Sequence, residues 1–408
     1  MVACRYYLNY HCLQDNTEIP MFASEPSPFP LVGLKPVSNA QNQWVALALQ
    51  PQQGAAPAAL LPLLADPDAE VLSSLDCIIP LADPLQVQPS HFDGIATGRV
   101  LLSIPAGACA DKAALQRCTE LADAGLRLLV EGEAGIQACQ AGVRGLNVDC
   151  SGTLPSALSM LTFPGPHLAR NAASAARVEE CRKAGFTWFS GDHALAPAPD
   201  AANDDGTSRK RLLALLGLLA RDADSRELET LLKQDPALSY HLLKLVNSAA
   251  FAPNSNPIHN FGQAINVLGR RQLQRWLQLL LYARRQVDGP ANPLLPLAAL
   301  RAAQMESLAR LQGEDRDAQD MAFLVGVFSL LDVLLAMPMT EVVGALALDL
   351  DVVRALVERA GPLGAMLRLV EQHAPDAAAL DAVGIDNETY WFSLMQAYQW
   401  ALQVSRNV

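Results

Sequence analysis

The stretch LLKQDPALSYHLLKLVNSAAF, residues 231–251, decides the fold of the second half of the chain. Asp235 and Pro236 make a strong helix start, because Asp caps the first turn and Pro at the first helical position gives up no needed N–H. We expect this helix to run to Asn247, with apolar side chains on its inner face at 238, 242, 245 and 246. The pattern predicts a helical fold around it.

Helical apolar spacing continues on both sides of this stretch. It predicts helices at 209–221, 225–233, 261–268, 272–285, 294–311, 318–336, 341–346, 352–359, 363–373, 376–383 and 387–404. Strand-like runs are absent from this half of the sequence. The second half is therefore predicted to be all-α.

The first half alternates between short apolar runs and helical stretches. Strands are predicted at 31–37, 44–49, 77–81, 100–104, 127–130, 145–149 and 186–189. Helices are predicted between them at 57–64, 111–124, 135–141, 154–161 and 175–184. This alternation predicts a parallel sheet with helical crossovers, and the count and span favour a (β/α) barrel over an open sheet.

A composition shift near 194–208, ALAPAPDAANDDGTS, separates the two halves. Ala, Pro, Asp and Asn dominate it and offer almost nothing to bury, which is typical of a linker. We therefore predict an irregular segment at 1–30, a barrel domain at 31–195, a linker at 196–206 and a helical domain at 207–408.

Composition excludes several classes of protein. The 408 residues are 51% hydrophobic and 18% charged, which suits packed globular domains. A net charge of −12, concentrated in the first half, argues against a nucleic-acid partner, because phosphate binding needs surplus Lys and Arg. The eight cysteines show no CxxC spacing and are expected to be reduced. We expect no signal peptide and no membrane partner, and hence a cytoplasmic location.

The second half resembles the HDOD family, helical output domains related to HD phosphohydrolases. The resemblance rests on residues 231–251, then PNSNPIHNFGQAINVLG and RRQLQRWLQLLL, and it extends through MAFLVGVFSLLDVLLAMPM to GPLGAMLRLV. HD enzymes hold a metal with a His–Asp pair, and the resemblance puts Ser329 and Leu330 at those positions. Leucine cannot ligate a metal, and Asp332 would face about 200° away on a helix. The resemblance thus implies a lost metal centre.

Residues 31–195 resemble a degenerate EAL domain, the fold of cyclic-di-GMP phosphodiesterases, most clearly at 31–50, 109–149 and 168–191. The resemblance places the signature Glu on Ala48 and the Asp–Asp pair on Glu131 and Gly132. It places the Lys of a later strand on Asn147, keeps Asp149, and puts the remaining Glu and Gln positions on Arg170 and Ser190. The carboxylates that hold two divalent cations in active EAL enzymes are thus mostly replaced.

From these losses we predict no enzyme activity, no cofactor and no metal. The main hypothesis is a non-catalytic bacterial regulator that contacts other signalling proteins, within or near cyclic-di-GMP signalling. A first alternative is a receptor that binds cyclic-di-GMP without cutting it, although the acidic barrel makes nucleotide binding doubtful. A residual phosphodiesterase is a second alternative.

Two further sets of residues have open interpretations. One is a basic, aromatic-bearing helix face for a partner, formed by Arg270, Arg271, Arg275, Trp276, Arg284 and Arg285. The alternative is a solvated face, or arginines paired with acids of the same domain. The seven histidines show no metal-ligand spacing and are interpreted as surface or capping residues.

Overall fold

A computed structural model of the protein describes residues 29–52, 57–65, 71, 74–196, 270–283, 291–346 and 348–407, with the single residues 214, 217, 218, 227 and 247. The stretch 231–251, the linker after Ala196, and the helices predicted at 225–233, 235–247 and 261–268 fall outside these residues, apart from Glu227 and Asn247. Most of the helix predicted at 209–221 falls outside them as well. The predicted domain boundaries remain predictions.

The described part of the first half forms a closed barrel of eight strands in chain order. The strands are β1 (Val32–Ser38), β2 (Trp44–Pro51), β3 (Asp76–Pro80), β4 (Val100–Pro105), β5 (Arg127–Glu131), β6 (Val143–Asp149), β7 (Leu168–Arg170) and β8 (Trp188–Phe189). Helices α1 (Pro57–Ala65), α2 (Lys112–Asp123), α3 (Ile136–Gln140), α4 (Ala157–Thr162) and α5 (Ala175–Lys183) lie between strands. The predicted (β/α) barrel is confirmed, and β7 is the strand that the pattern missed.

The first strand departs from the predicted parallel order. β1 pairs antiparallel with β2 and with β8, whereas the pairs from β2 to β8 are parallel. The turn between β1 and β2 is too short for a parallel crossover. Asn39 organises it by accepting the backbone N–H groups of Gln41 and Gln43 on its Oδ1, and Asn42 adopts a φ of 59°. A tight hairpin therefore opens the barrel.

The described part of the second half is helical, as predicted. Its helices are α6 (Arg270–Leu280), α7 (Leu294–Leu311), α8 (Arg316–Phe328), α9 (Leu331–Leu335), α10 (Met339–Gly344), α11 (Leu350–Glu358), α12 (Gly361–Val370), α13 (Ala377–Asp381) and α14 (Asn387–Asn407). The central helix α7 packs against α8 and α14. The single helix predicted at 318–336 is divided at Ser329 and Leu330, where Leu330 has the non-helical angles φ −117° and ψ 11°.

The helical domain packs on the hairpin of the barrel. Asn42 Nδ2 donates to the Ala291 carbonyl at 2.8 Å, and the ring of Trp44 lies 5.4 Å from that of Tyr398 on α14. A Cβ built on Gly33 would lie 1.8 Å from the His373 carbonyl oxygen, so only glycine allows this approach. Strand β1 therefore belongs to the cores of both domains.

One helical stretch, Arg316–Leu335, is long and apolar enough to cross a membrane by length and composition. The sequence predicts no membrane-spanning helix. In the most apolar part of this stretch, 56% of the residues are buried inside the protein, among them Val325, Phe328 and Leu331. Burial of this kind is typical of the core helix of a globular domain.

Candidate functional site

A pocket of about 240 Å³ opens at the mouth of the barrel, where the parallel strands end. Catalytic and binding groups of such barrels sit at this end of the sheet. Five of the positions singled out from the sequence line this pocket together: Ala48, Glu131, Asn147, Arg170 and Ser190. The structure thus brings together residues that lie far apart in the chain. We call this pocket the barrel mouth.

A hydrogen-bond chain crosses the barrel mouth. Asn147 Nδ2 donates to Ser103 Oγ at 2.7 Å, and Ser103 Oγ donates to Glu131 Oε1 at 3.0 Å. Glu131 Oε2 then lies 4.0 Å from Arg170 Nη2, a long ion pair between partly exposed side chains. Ser103 is 1% exposed and Asn147 is 3% exposed. This series of hydrogen bonds holds the Glu131 carboxylate in place. Ser103 is not among the positions predicted from the sequence, because its role depends on its contacts with Glu131 and Asn147.

Two polar atoms of the barrel mouth are buried without a hydrogen-bond partner among the described groups. They are the Oδ1 of Asn147 and the Nε of Arg170. A buried polar atom without a partner costs free energy, about 1–3 kcal/mol. Both atoms belong to side chains that line the pocket, so a ligand or ordered water in the barrel mouth is the natural partner.

The two other positions taken from the EAL resemblance lie outside the pocket lining. Gly132 has a φ of 90°, and its N–H donates to the Asn147 carbonyl at 3.1 Å. Asp149 accepts from Ser151 N and from Asn171 Nδ2, each at 2.9 Å. These hydrogen bonds, with Ser151 first, lower the pKa of Asp149. Asp149 therefore stabilises the loop that follows β6.

The residues present do not fit a pair of divalent cations. Within the described ranges there is no group of three or more His, Cys, Asp and Glu side chains that could hold a metal. Glu131 is the one acidic residue in the lining of the barrel mouth, and Arg170 lies beside it. Two hard cations need several carboxylate oxygens. The lining of the barrel mouth therefore does not supply the ligands of a two-cation site.

One of the two positions matched to the HD pair, Ser329, contacts a buried arginine. Arg301 Nη1 donates to Ser329 Oγ at 3.0 Å and lies 3.4 Å from Glu371 Oε1, while Leu330 is 2% exposed in the core. Burial lowers the pKa of Arg301, and the Glu371 carboxylate opposes that shift. A guanidinium thus occupies this part of the core. No sequence pattern pointed to Arg301.

The structure describes the side chains of three residues of the predicted basic helix face, which remains a prediction. Trp276 is 1% exposed, so it belongs to the core. Arg271 and Arg275 both bind Asp320, and Arg275 also binds Glu306 at 2.6 Å and lies over the Phe323 ring. The positive charges of Arg271 and Arg275 are therefore paired with acidic residues of the same domain. Nothing is described of the Arg270 side chain, and Arg284 and Arg285 lie outside the described residues.

Comparison with known proteins finds one matching family model and two similar proteins. The HDOD domain model matches residues 210–341. Cyclic di-GMP phosphodiesterase CdgJ of Vibrio cholerae is 30% identical over 59% of this chain and 56% of its own length. Protein YuxH of Bacillus subtilis is 26% identical over 57% of this chain and 58% of its own length. The chain thus spans a little over half the length of each of these relatives.

Solved structures of EAL proteins are also similar, at low sequence identity. The PaMucR phosphodiesterase in complex with c-di-GMP is 14% identical, with a TM-score of 0.32 over 40% of this chain and 94% of that one. The EAL domain of Mycobacterium smegmatis DcpA is 14% identical, with a TM-score of 0.32 over 40% of this chain and 90% of that one.

These comparisons correct one expectation from the sequence. The prediction that the chain has no enzyme activity is wrong as judged by its relative CdgJ, which is named a phosphodiesterase. That prediction rested on the loss of signature acids. The loss of these acids removes the ligands of one known two-metal site. It does not by itself show that the barrel lacks enzyme activity.

Proposed function

The chain carries an EAL-like barrel in front of an HDOD domain, and from this organisation we propose that it acts in cyclic-di-GMP signalling in the cytoplasm. In this proposal the barrel mouth binds the dinucleotide. The name of the relative CdgJ supports the choice of nucleotide. The observation that carries the proposal is the buried, unpaired Nε of Arg170 in the wall of the pocket.

The cationic side chains of the barrel mouth suit a phosphate. Arg170 presents a planar fork of N–H donors, and its ion pair with Glu131 is long at 4.0 Å. Lys35 on β1 supplies a second positive charge to the same lining. A volume of about 240 Å³ admits one phosphate with part of its ribose, so the rest of the dinucleotide would lie over the rim.

The acidity of the first half does not oppose this binding, because Glu131 is the one acidic residue in the lining of the barrel mouth. Glu120, Glu179 and Glu180 lie on the outer helices, where neighbouring arginines bind them. The barrel mouth itself combines the Glu131 carboxylate with the Lys35 and Arg170 cations. The local charge is therefore positive although the net charge of the chain is negative.

Calorimetry with cyclic-di-GMP tests the proposal on the full chain. We expect Arg170→Gln to weaken binding at least tenfold, because it removes the charged fork at the phosphate. Arg182→Gln is the matched control, since Arg182 is exposed on α5 and bound to Glu179. Absence of binding heat at high micromolar ligand, or equal binding by both variants, would overturn the proposal.

Turnover is measured in the same samples by chromatography of the linear dinucleotide product. The Glu131 carboxylate, fixed by Ser103, is the group best placed to accept a proton there. Turnover that is lost in Glu131→Ala assigns the chemistry to the barrel mouth. Turnover that persists in this variant assigns it elsewhere and contradicts the proposed site.

An exposed pair of leucines favours a second role in contacts with another signalling protein. Leu158 and Leu161 on α4 are 76% and 84% exposed and lie three residues apart on one helix face. Exposed apolar side chains in contiguous patches mark interaction sites. A pull-down from the native bacterium that recovers the same partners with the wild type and with the Leu158→Ser, Leu161→Ser double variant would contradict this role.

A further inference from the structure

Asn147 offers a buried hydrogen-bond acceptor, its Oδ1, that has no partner among the described residues. The orientation of the Asn147 amide follows from its neighbours. Ser103 Oγ has one proton, and it donates this proton to the Glu131 carboxylate at 3.0 Å. The Asn147 atom at 2.7 Å from Ser103 Oγ must then be the donor Nδ2. The amide oxygen is therefore the atom that is left unpaired in the lining of the barrel mouth.

This acceptor requires a donor from the ligand. An amide oxygen only accepts, so its partner is an O–H or N–H group. Buried polar atoms in proteins are nearly always hydrogen-bonded. The phosphodiester that we place beside Arg170 and Lys35 has no proton to donate, so it cannot satisfy Asn147 Oδ1. A second polar group of the same ligand must do so.

Asn147 lies deeper in the barrel than Arg170. On the neighbouring strands β6 and β7, Asn147 pairs with Leu168, whereas Arg170 pairs with Asp149. Two residues of strand separate these levels, which corresponds to about 7 Å. The Arg170 side chain is also partly exposed at the rim, whereas Asn147 is buried. A ligand with its phosphate at Arg170 therefore needs a donor that points from the phosphate towards the floor of the pocket.

The 2′-hydroxyl of a ribose has the required chemistry and position. It donates and accepts hydrogen bonds, and it lies on the carbon next to the one that carries the 3′-phosphate. The donors of a guanine base lie farther from the phosphate. A volume of about 240 Å³ admits one phosphate and only part of its ribose, so a base does not fit beside them. The size of the pocket thus favours the sugar hydroxyl over the base.

We propose that Asn147 makes the barrel mouth selective for ribonucleotides, because its Oδ1 accepts a hydrogen bond from the 2′-hydroxyl next to the phosphate at Arg170. The inference rests on the proposed function for the identity of the ligand, and it adds a specificity-determining residue to that site. A deoxyribonucleotide leaves Asn147 Oδ1 buried and unpaired. A site built to pair with a hydroxyl rejects an analogue that lacks it for this reason.

Calorimetry on the full chain compares cyclic-di-GMP with its 2′-deoxy and 2′-fluoro analogues. The 2′-fluoro analogue keeps the sugar pucker of ribose but cannot donate a hydrogen bond, so it separates donation from sugar conformation. We expect each analogue to bind more weakly than cyclic-di-GMP by about tenfold or more. If the 2′-fluoro analogue binds as tightly as cyclic-di-GMP, the inference is wrong, whereas the proposed function stands.

Variants show whether Asn147 is the group that detects the hydroxyl. Asn147→Leu should abolish the preference for cyclic-di-GMP over the 2′-deoxy analogue. Arg170→Gln is the comparison variant: it should weaken the binding of both ligands by the same factor and keep the preference, because it acts on the phosphate. Asn147→Ser takes the place of Asn147→Leu should that variant fail to fold. A preference that persists in a folded Asn147 variant contradicts the inference.

Guanosine 3′-monophosphate and its 2′-deoxy counterpart separate this inference from the proposed function. They carry one phosphate and one sugar without the second half of the dinucleotide, and their binding is followed by ligand-observed NMR. If cyclic-di-GMP gives no binding heat but guanosine 3′-monophosphate binds more tightly than its deoxy counterpart, the dinucleotide is the wrong ligand and the ribose selectivity holds. If none of these nucleotides binds, both the proposed function and the inference are wrong.

Discussion

The phenol of Tyr398, in the last helix, donates a hydrogen bond of 3.0 Å to the carbonyl oxygen of Leu34 in the first strand. The residues are 364 positions apart, and both are buried. Burial raises the pKa of Tyr398 well above its ordinary value, so the hydroxyl remains a donor. Neighbouring contacts at Asn42 and Gly33 join the same two elements. Strand β1 is thus fixed between the barrel sheet and the helical domain.

Tyr398→Phe should weaken the contact between the domains by about 1 kcal/mol, because it removes one buried hydrogen bond and keeps the ring against Trp44. Tyr282→Phe is the matched control: its hydroxyl is equally buried and donates to the Val327 carbonyl within the helical domain. Limited proteolysis between the domains should accelerate in the first variant and not in the second. Equal acceleration in both would contradict the assignment.

Gly33→Ala should separate the domains, since its methyl group would lie 1.8 Å from the backbone carbonyl of His373, which cannot rotate away. We expect a loss of about 3 kcal/mol in unfolding free energy, the upper end of overpacking effects. Gly98→Ala, where a Cβ meets nothing within 4 Å, is the control. A melting temperature for Gly33→Ala within about 1 °C of the wild type would contradict the close approach.

Acid should destabilise the interface through His373. Burial first, and then the Lys35 ammonium, lower the pKa of His373 from 6.5 to about 4, while Asp192 opposes the shift and Arg301 adds to it. Between these values the unfolded chain binds a proton that the folded chain does not, so stability falls as the pH falls. The loss should be about 2 kcal/mol from pH 7 to pH 5.

Urea titrations at pH 7 and pH 5 measure this loss. His373→Gln should remove most of the difference between the two pH values, whereas the wild type retains it. An unchanged pH dependence in the variant would show that other groups cause the acid sensitivity, with His193 and His167 as the next candidates, since burial lowers the pKa of each.

The pairs around Glu371 should respond asymmetrically to mutation. Glu371→Gln leaves both Arg301 and Arg359 without their carboxylate and should cost about 3–5 kcal/mol, as for a broken buried pair. Arg301→Met leaves Glu371 bound to Arg359 and should cost less, about 1–3 kcal/mol. Thermal unfolding of the two variants compares them directly. A larger loss of unfolding free energy in Arg301→Met than in Glu371→Gln would contradict this assignment of the ion pairs.

Local patterns in the sequence predicted the elements well. Helix α7 begins and ends as its leucine spacing indicates, and seven of the eight strands fall within the predicted apolar runs or beside them. Strand β7 was missed because it has three residues, one of them Arg170, and too few apolar positions to form a pattern. The break at Ser329 was missed because apolar spacing continues across it.

The contacts between the domains could not be predicted in the same way. His193 and His373 show no informative pattern in the sequence and are predicted to have surface or capping roles. Packing of the two domains partly buries them, and this burial lowers the pKa of each. The barrel mouth was predicted better, because motif positions at strand ends point to one edge of the barrel. What they could not show is Ser103, whose role depends on its distance to Glu131.

Lys35 lies in the wall of the barrel mouth, on the strand that Tyr398 and Gly33 hold against the helical domain. A displacement of β1 would therefore move one wall of the barrel mouth. We expect a change at the contact between the domains to alter the affinity of the barrel mouth for its ligand in the same way that any two linked sites affect each other.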